Sequence, residues 1–240
     1  MCGRYLRRSD KQRIAEAFRL GRLDENFVLP PDYNVAPSTF QPVIRLNRDT
    51  GQREIVMMRW GLVPNFAKSL DEFKGFSTIN AKAETLQERA IWRRPFHKFR
   101  CLVPADGFYE WKKLDAKTKQ PFAYSLSNGE PFAFAGLWDA WKNPQTGEWL
   151  QSFAIITTDA NELTGKVHNR MPVILHPRDY GRWLERGEAH ELPVDLLRPY
   201  EADAMDAAPC NPAVGNVRNN DPELLDCPKP NEPPEKLNSK

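Results

Sequence analysis

Hydrophobic positions change their period along the chain. Ile14, Ala17 and Phe18 recur at the three-to-four spacing of a helix face. Ser9-Asp10-Lys11-Gln12 in front of them fits a capping box, in which the Ser9 oxygen takes a free backbone N–H and Gln12 reaches back. Pro30, Pro31 and Pro37 turn the next stretch into loop. Two β-rich runs, 43–46 and 55–58, flank Asp49-Thr50-Gly51 and predict a hairpin. Residues 82–94 have a helical pattern with Glu84 near the start and a charged outer face.

From 100 to 158 the period becomes that of strands. Apolar and aromatic runs at 101–104, 108–111, 122–126, 132–138 and 153–157 alternate with turn residues, and Asn128-Gly129 and Gln145-Thr146-Gly147 mark hairpin turns. Residues 172–175 predict one more strand. Pro177 then opens a helix whose apolar face is Tyr180, Trp183 and Leu184. Residues 201–240 hold seven prolines and no aromatic residue, a composition that predicts an extended or partly disordered tail with no core of its own. The fold class is α+β: a single domain over residues 1–220, strand-rich with helices packed against it, followed by a Pro-rich acidic tail at 221–240.

Composition narrows the picture. A chain of 240 residues buries a full core without disulfide or metal staples. Its net charge of +2 excludes a histone-like polycation but leaves room for a local basic groove. The charge is unevenly spread, with −4 in residues 201–240 and +6 in the first 200. No apolar run approaches the ~20 residues of a membrane span, and the first residues have no secretory apolar stretch. Cys2 stands where myristoylation would need glycine. Cys2, Cys101, Cys210 and Cys227 are too scattered for a disulfide scaffold, and without C-x-x-C or H-E-x-x-H no metal site is expected. A reducing compartment follows, and there is no Gly-rich phosphate loop.

Four side chains stand out chemically. Cys2 becomes the terminal residue if Met1 is removed, and a terminal cysteine carries a thiol and a primary amine on adjacent carbons. The amine condenses with an aldehyde to a Schiff base, and the thiol then closes a thiazolidine ring. An α-amine of pKa ~7.7–8.0 is partly unprotonated at neutral pH. The alternative is a retained Met1 and a small buried Cys2. His168 precedes an apolar strand, where an imidazole suits proton transfer or simply completes the structure. Glu110 interrupts Gly107-Phe108-Tyr109-Glu110-Trp111; alternation puts it on the face of Phe108, with Tyr109 and Trp111 opposite. Apolar surroundings would raise its pKa, whereas an exposed strand glutamate would have no role. Asn80 precedes the expected helix, as an N-cap or a substrate contact. His97, His176 and His190 receive no role. Arg4, Lys82 and Arg170 are among many cations interleaved with aromatic rings, the pairing that single-stranded nucleic acid requires.

The ordered motifs add a family resemblance. Met1-Cys2-Gly3-Arg4-Tyr5, Tyr33-Asn34-Val35-Ala36-Pro37, Arg59-Trp60-Gly61-Leu62-Val63-Pro64 and Asn80-Ala81-Lys82-Ala83-Glu84-Thr85 follow one another. Then come Arg100-Cys101-Leu102-Val103-Pro104, Ala105-Asp106-Gly107-Phe108-Tyr109-Glu110-Trp111, Ala135-Gly136-Leu137-Trp138, Ile155-Ile156-Thr157-Thr158 and His168-Asn169-Arg170-Met171-Pro172. With Asn216-Val217-Arg218-Asn219 near the end, the chain over about residues 2–220 resembles the SRAP family, the SOS-response-associated peptidases that shield abasic sites.

The resemblance implies a barrel-like strand core and a groove for single-stranded DNA containing abasic sites. It implies a covalent thiazolidine between Cys2 and the ring-opened sugar, with Asn80 holding the reacting group, Glu110 managing protons, and His168 assisting ring opening and reversal. Arg4, Lys82 and Arg170 would hold phosphates, while Asn34, Phe66 and Trp111 line the nucleotide path. Lys82 stands where the family more often has arginine, which keeps the charge without the bidentate fork. The expected activity is thiol peptidase or hydrolase together with lyase-like crosslinking, in a cytoplasmic or nucleoid-associated monomer needing no cofactor, metal or membrane. Two alternatives stay open: a cysteine peptidase that removes its own Met1, and a non-catalytic single-strand binder.

Overall fold

The structure is a computed structural model that describes residues 2–73, 78–185 and 191–227. Strand β1 (Tyr5–Arg7) leads to helix α1 (Lys11–Ala17) and β2 (Asp32–Val35), and β3 (Phe40–Leu46) with β4 (Arg53–Trp60) form the expected hairpin. Next come β5 (Asn80–Lys82), α2 (Ala90–Lys98), β6 (Arg100–Ala105), β7 (Gly107–Lys113), β8 (Lys119–Leu126), β9 (Phe132–Lys142) and β10 (Trp149–Asp159). The chain continues through β11 (Arg170–Pro172), β12 (Ile174–Leu175), α3 (Tyr180–Leu184) and β13 (Met205–Pro209).

Strand β10 closes a ring. It pairs in parallel with β4 and antiparallel with β9, while β4 pairs with β3, β3 with β6 and β6 with β9. Five strands thus form a barrel, which removes the open edges of a flat sheet. Both faces of its wall are buried. Ile44, Leu102, Ala135, Ala154 and Ile156 pack with Ile14 and Phe18 near α1, with Trp92 and Phe96 of α2, and with Tyr180 and Trp183 of α3. Their sequence neighbours Val43, Val103, Phe134, Phe153 and Ile155 pack with Cys2, Tyr5, Phe108 and Tyr124. Two buried faces explain why these strands read as continuous apolar runs.

The second set of faces packs on a five-stranded sheet in the order β13-β8-β7-β1-β2. It fixes the amino-terminal segment. Tyr5 in β1 lies opposite Val35 of β2 and Phe108 of β7, and its ring packs edge-on against Trp60 and Phe134. Leu6 lies opposite Gly107, where a Cβ would sit 2.6 Å from the Tyr124 carbonyl and 2.9 Å from Leu6 Cδ2. Only glycine lets the two strands approach this closely.

Five local expectations are corrected. Asn128-Gly129 turns no hairpin, because β8 before it pairs with β7 and β13 whereas β9 after it pairs with β6, β10 and β12. Asp10, not Ser9, caps α1: its carboxylate accepts the Arg13 N–H at 2.8 Å, while Ser9 Oγ donates to buried Asp106 at 2.6 Å. The helix expected at 82–94 begins at Ala90. Asn80–Lys82 instead joins the sheet beside Ile155 to Thr157 of β10, followed by one 3-10 turn at Ala83–Thr85. Residues 172–175 are two strands, because β11 pairs with β10 and β12 with β9. The tail expected from 201 onwards does pack: β13 adds to β8 with Met205 opposite Leu126 and Pro209 opposite Phe122. Cys210, Val214 and Leu224 are buried against Leu6 and Tyr109, so the segment borrows the aromatic surface it lacks. This packing runs past residue 220, and residues 228–240 lie outside the described residues, as does His190.

Candidate active site

Cys2 leads into β1 and is fully buried, with its thiol donating to the Arg4 carbonyl at 3.7 Å. Burial pushes the thiol well above its ordinary pKa, and the negative charge of Glu110 pushes in the same direction. Glu110 is therefore within electrostatic reach of the sulfur. It comes from β7 on the predicted face: Phe108 shares the buried cluster of Cys2, whereas Tyr109 and Trp111 pack on the opposite side. Burial raises the Glu110 carboxyl pKa, and the charge of His168 is among the opposing influences. Thiol, carboxyl and imidazole thus form one electrostatically linked group.

The His168 loop is held by backbone acceptors and by Asn161. The Asn161 carbonyl oxygen accepts from the Leu163 and Thr164 N–H groups, and its amide donates to the Tyr200 carbonyl. The His168 N–H donates to the Thr164 carbonyl at 3.0 Å. Arg170 N–H points at His168 Nδ1 at 3.0 Å, and the Arg170 carbonyl lies 3.2 Å from the same nitrogen. The backbone N–H is an obligatory donor, so the shorter contact assigns Nδ1 as acceptor and places the neutral ring's proton on Nε2.

Asn80 is no helix cap; it sits in β5 opposite Ile155, a member of the Cys2 cluster. Its amide donates to the Ile79 carbonyl at 3.0 Å, which also accepts from Trp60 Nε1. Its buried Oδ1 has no hydrogen-bond partner, and neither do the hydroxyls of Tyr5 and Tyr124. Native proteins pair nearly all such atoms, so three orphans in and beside the buried cluster that holds Cys2 mark a place that a polar ligand would complete. Burial raises the Tyr124 phenol to about 12, with Glu110 adding to the effect. Burial also raises the Tyr5 phenol, and the Cys2 charge is one contributor. Sequence reasoning gave neither tyrosine a role: Tyr124 reaches the site only through its register opposite Phe108, on which its ring stacks at 5.0 Å.

The six expected DNA contacts divide into three groups. Arg4, Asn34 and Trp111 meet the carboxy-terminal segment: Arg4 donates to Asn34 Oδ1 and the Val214 carbonyl, and Asn34 to the carbonyls of Val214, Asn216 and Asn219. Trp111 packs with Cys210, Val214 and Leu224. Arg170 beside His168 is engaged by Glu84, Asp159 and the Thr157 carbonyl. Lys82 and Phe66 are exposed, with Phe66 54% accessible. Among the described residues, no group of three or more His, Cys, Asp or Glu is placed to hold a metal ion, and no helix is long and apolar enough to cross a membrane.

Comparison with known proteins adds the family. The model of the family described as SOS response associated peptidase (SRAP) matches residues 1–217. The chain is similar to the abasic site processing protein YoqW of Bacillus subtilis, 41% identical over 227 residues that cover 94% of this chain and 99% of that protein. It is 36% identical to the abasic site processing protein HMCES of Rattus norvegicus, over 81% of this chain and 64% of that one. A crystal structure of a Bacteroides thetaiotaomicron protein superposes with a TM-score of 0.81 at 28% identity, covering 93% of this chain and 98% of that one.

Proposed function

Because this chain belongs to the SOS response associated peptidase (SRAP) family, we propose that it processes abasic sites in single-stranded DNA by forming a covalent thiazolidine through Cys2. The observation that carries this reading is the electrostatic linkage of the Cys2 thiol to Glu110 and of Glu110 to His168.

Removal of Met1 frees the Cys2 amine. The abasic sugar opens to its aldehyde, with His168 moving the proton between ring oxygen and hydroxyl. The amine adds to the aldehyde carbon, and the carbinolamine loses water to give a Schiff base. A Glu110 carboxyl that burial makes hold its proton more tightly than an exposed one is suited to supply the proton that leaves with that water. The thiol then adds to the carbon of the protonated Schiff base, whose nitrogen already carries its hydrogen, and the thiol proton passes to the Glu110 carboxylate, so the net reaction releases one water. A thiol made hard to ionise by its surroundings adds best with a base beside it, and the carboxylate left by the previous step is that base. Holding amine and thiol on one residue makes ring closure unimolecular. Asn80 Oδ1 supports the reading as an acceptor available to the bound sugar or amine.

Incubation with an abasic oligonucleotide, followed by a denaturing gel, tests the proposal. Wild type gives a slower-migrating covalent species and Cys2→Ala gives none. Equal crosslinking by the variant overturns the reading.

A further inference from the structure

The loop after β4 connects the site to a second feature. Leu62 N–H donates to the Thr78 carbonyl near Asn80, and Val63 N–H to Ser152 Oγ of β10. At its far end Asn65 N–H donates to Asp139 Oδ2, and Trp141 Nε1 to the Ala67 carbonyl. Phe66 stands exposed at this bend. Beyond it opens a cleft of about 280 Å3, whose walls include Asn65, Arg48, Arg94, Trp138, Lys142 and Trp149. That volume lies just below the ~300–1,000 Å3 typical of small-ligand pockets, enough for one nucleotide-sized group.

The lining has the chemistry of a nucleotide contact. Arg48, Arg94 and Lys142 supply three cations against one buried carboxylate, Asp139, which pairs with Arg94. Trp149 is 65% exposed on the hairpin joining β9 to β10, directly opposite Lys142, whose ammonium lies 5.8 Å from the ring centroid. A single exposed ring is ordinary. A flat ring beside unneutralised cations, one loop from a second exposed ring, matches the combination of stacking platform and phosphate-tracking charge that single strands use.

We propose that this cleft binds a nucleotide of the undamaged strand flanking the abasic site, its base stacked on Trp149 and its phosphate between Arg48 and Lys142. The proposal rests on the abasic-site reading for the identity of the ligand. It extends the DNA path across Phe66 to a surface that only Trp138 of the motif residues reaches.

The test separates the two. Fluorescence anisotropy with an undamaged oligodeoxythymidine strand reads the cleft without any covalent step, and adduct formation with 2-deoxyribose 5-phosphate, followed by intact mass, reads the chemistry alone. Trp149→Ala is expected to weaken the undamaged strand about ten-fold, the scale of one lost base stack, and Trp149→Phe to restore most of it. Arg48→Ala and Lys142→Ala should each reduce the slope of log affinity against log salt by about 0.7. All three alanine variants should form the 2-deoxyribose 5-phosphate adduct, which has no flanking nucleotide, at the wild-type rate. Undamaged-strand affinity within two-fold of wild type for Trp149→Ala, with an unchanged salt slope for the lysine variant, overturns the cleft while leaving the site intact. Loss of crosslinking in wild type itself overturns the abasic-site reading, and anisotropy still judges the cleft.

Discussion

A carboxyl buried beside a thiol works against folding at neutral pH. Glu110 has an ordinary value of 4.5 that burial raises. Below that pH the folded and unfolded chains both hold the proton. As pH rises through 4.5 the unfolded chain releases it first, so the folded state binds more protons and stability falls until the raised folded pKa is passed. Glu110→Gln removes this proton. Its melting temperature should therefore match wild type near pH 4, exceed it increasingly as pH rises through 4.5 and hold a constant lead once the raised folded pKa is passed, by about 2–4 °C for each 1 kcal/mol relieved. Crosslinking by the variant should fall by about 10²–10⁴-fold, the usual contribution of a positioned acid or base. Thermal melts across pH together with gel rates check both, and a wild type that gains on the variant as pH rises would show that burial is not the dominant influence. The strand alternation of Phe108 to Trp111 made the facing of Glu110 legible from the sequence. Orphaned hydroxyls were not: whether a tyrosine's O–H finds a partner depends on atoms brought together from distant strands.

Between single residues and the whole chain, one strand pair holds the chemistry in place. Cys2 enters through β1 and Glu110 projects from β7, so their spacing depends on how closely these strands dock. Gly107→Ala puts a methyl into the Tyr124 carbonyl, which cannot swing aside as a side-chain tip would. The variant should lose about 1–3 kcal/mol of stability, and its crosslinking should slow even at temperatures where it stays folded. Gly21→Ala is the control, since nothing lies within 4 Å of a Cβ there. Denaturant unfolding and crosslinking rates separate the two, and a Gly107→Ala variant as active as Gly21→Ala would mean the strands can adjust independently. Hairpins were legible for β3–β4 and β9–β10, because their partners are neighbours and Gly51 and Gly147 adopt the positive φ their turns need, whereas the turn at Asn128-Gly129 passes the chain from β8 in one sheet to β9 in the other. The helix expected over 82–94 was misread at its start for the opposite reason. β10, some 75 residues later, captures Asn80–Lys82 as a strand, and the helix begins only at Ala90. Ser9 was misread likewise, because Asp106 claims the hydroxyl that local geometry offered to the helix.

At the scale of the molecule, local pattern gives the number and kind of strands but not that β10 joins both ends of a row into a barrel. That closure rests on registers such as Phe153 opposite both Trp60 and Trp138, which no window of sequence contains. The carboxy-terminal segment shows the same limit. Its composition lacks aromatic residues, yet β13 covers the edge of β8, and Cys210, Val214 and Leu224 cover Leu6 and Tyr109. Arg4 and Asn34 anchor it from the strands beside Cys2. Truncation after Tyr200 therefore removes an edge strand, exposes an apolar face, strips the Asn34 amide of its carbonyl acceptors and leaves Arg4 with Asn34 Oδ1 alone, all on the sheet that positions Cys2. Such a chain should be insoluble, or melt at least about 10 °C lower, as expected for a loss of several kcal/mol in a chain of this size. A chain ending at Cys227 keeps every one of these contacts and should melt within about 2 °C of full length. Should the shorter chain fold with unchanged stability and still crosslink, the segment would be an accessory strap, and β1 and β7 alone would suffice to hold Cys2 beside Glu110.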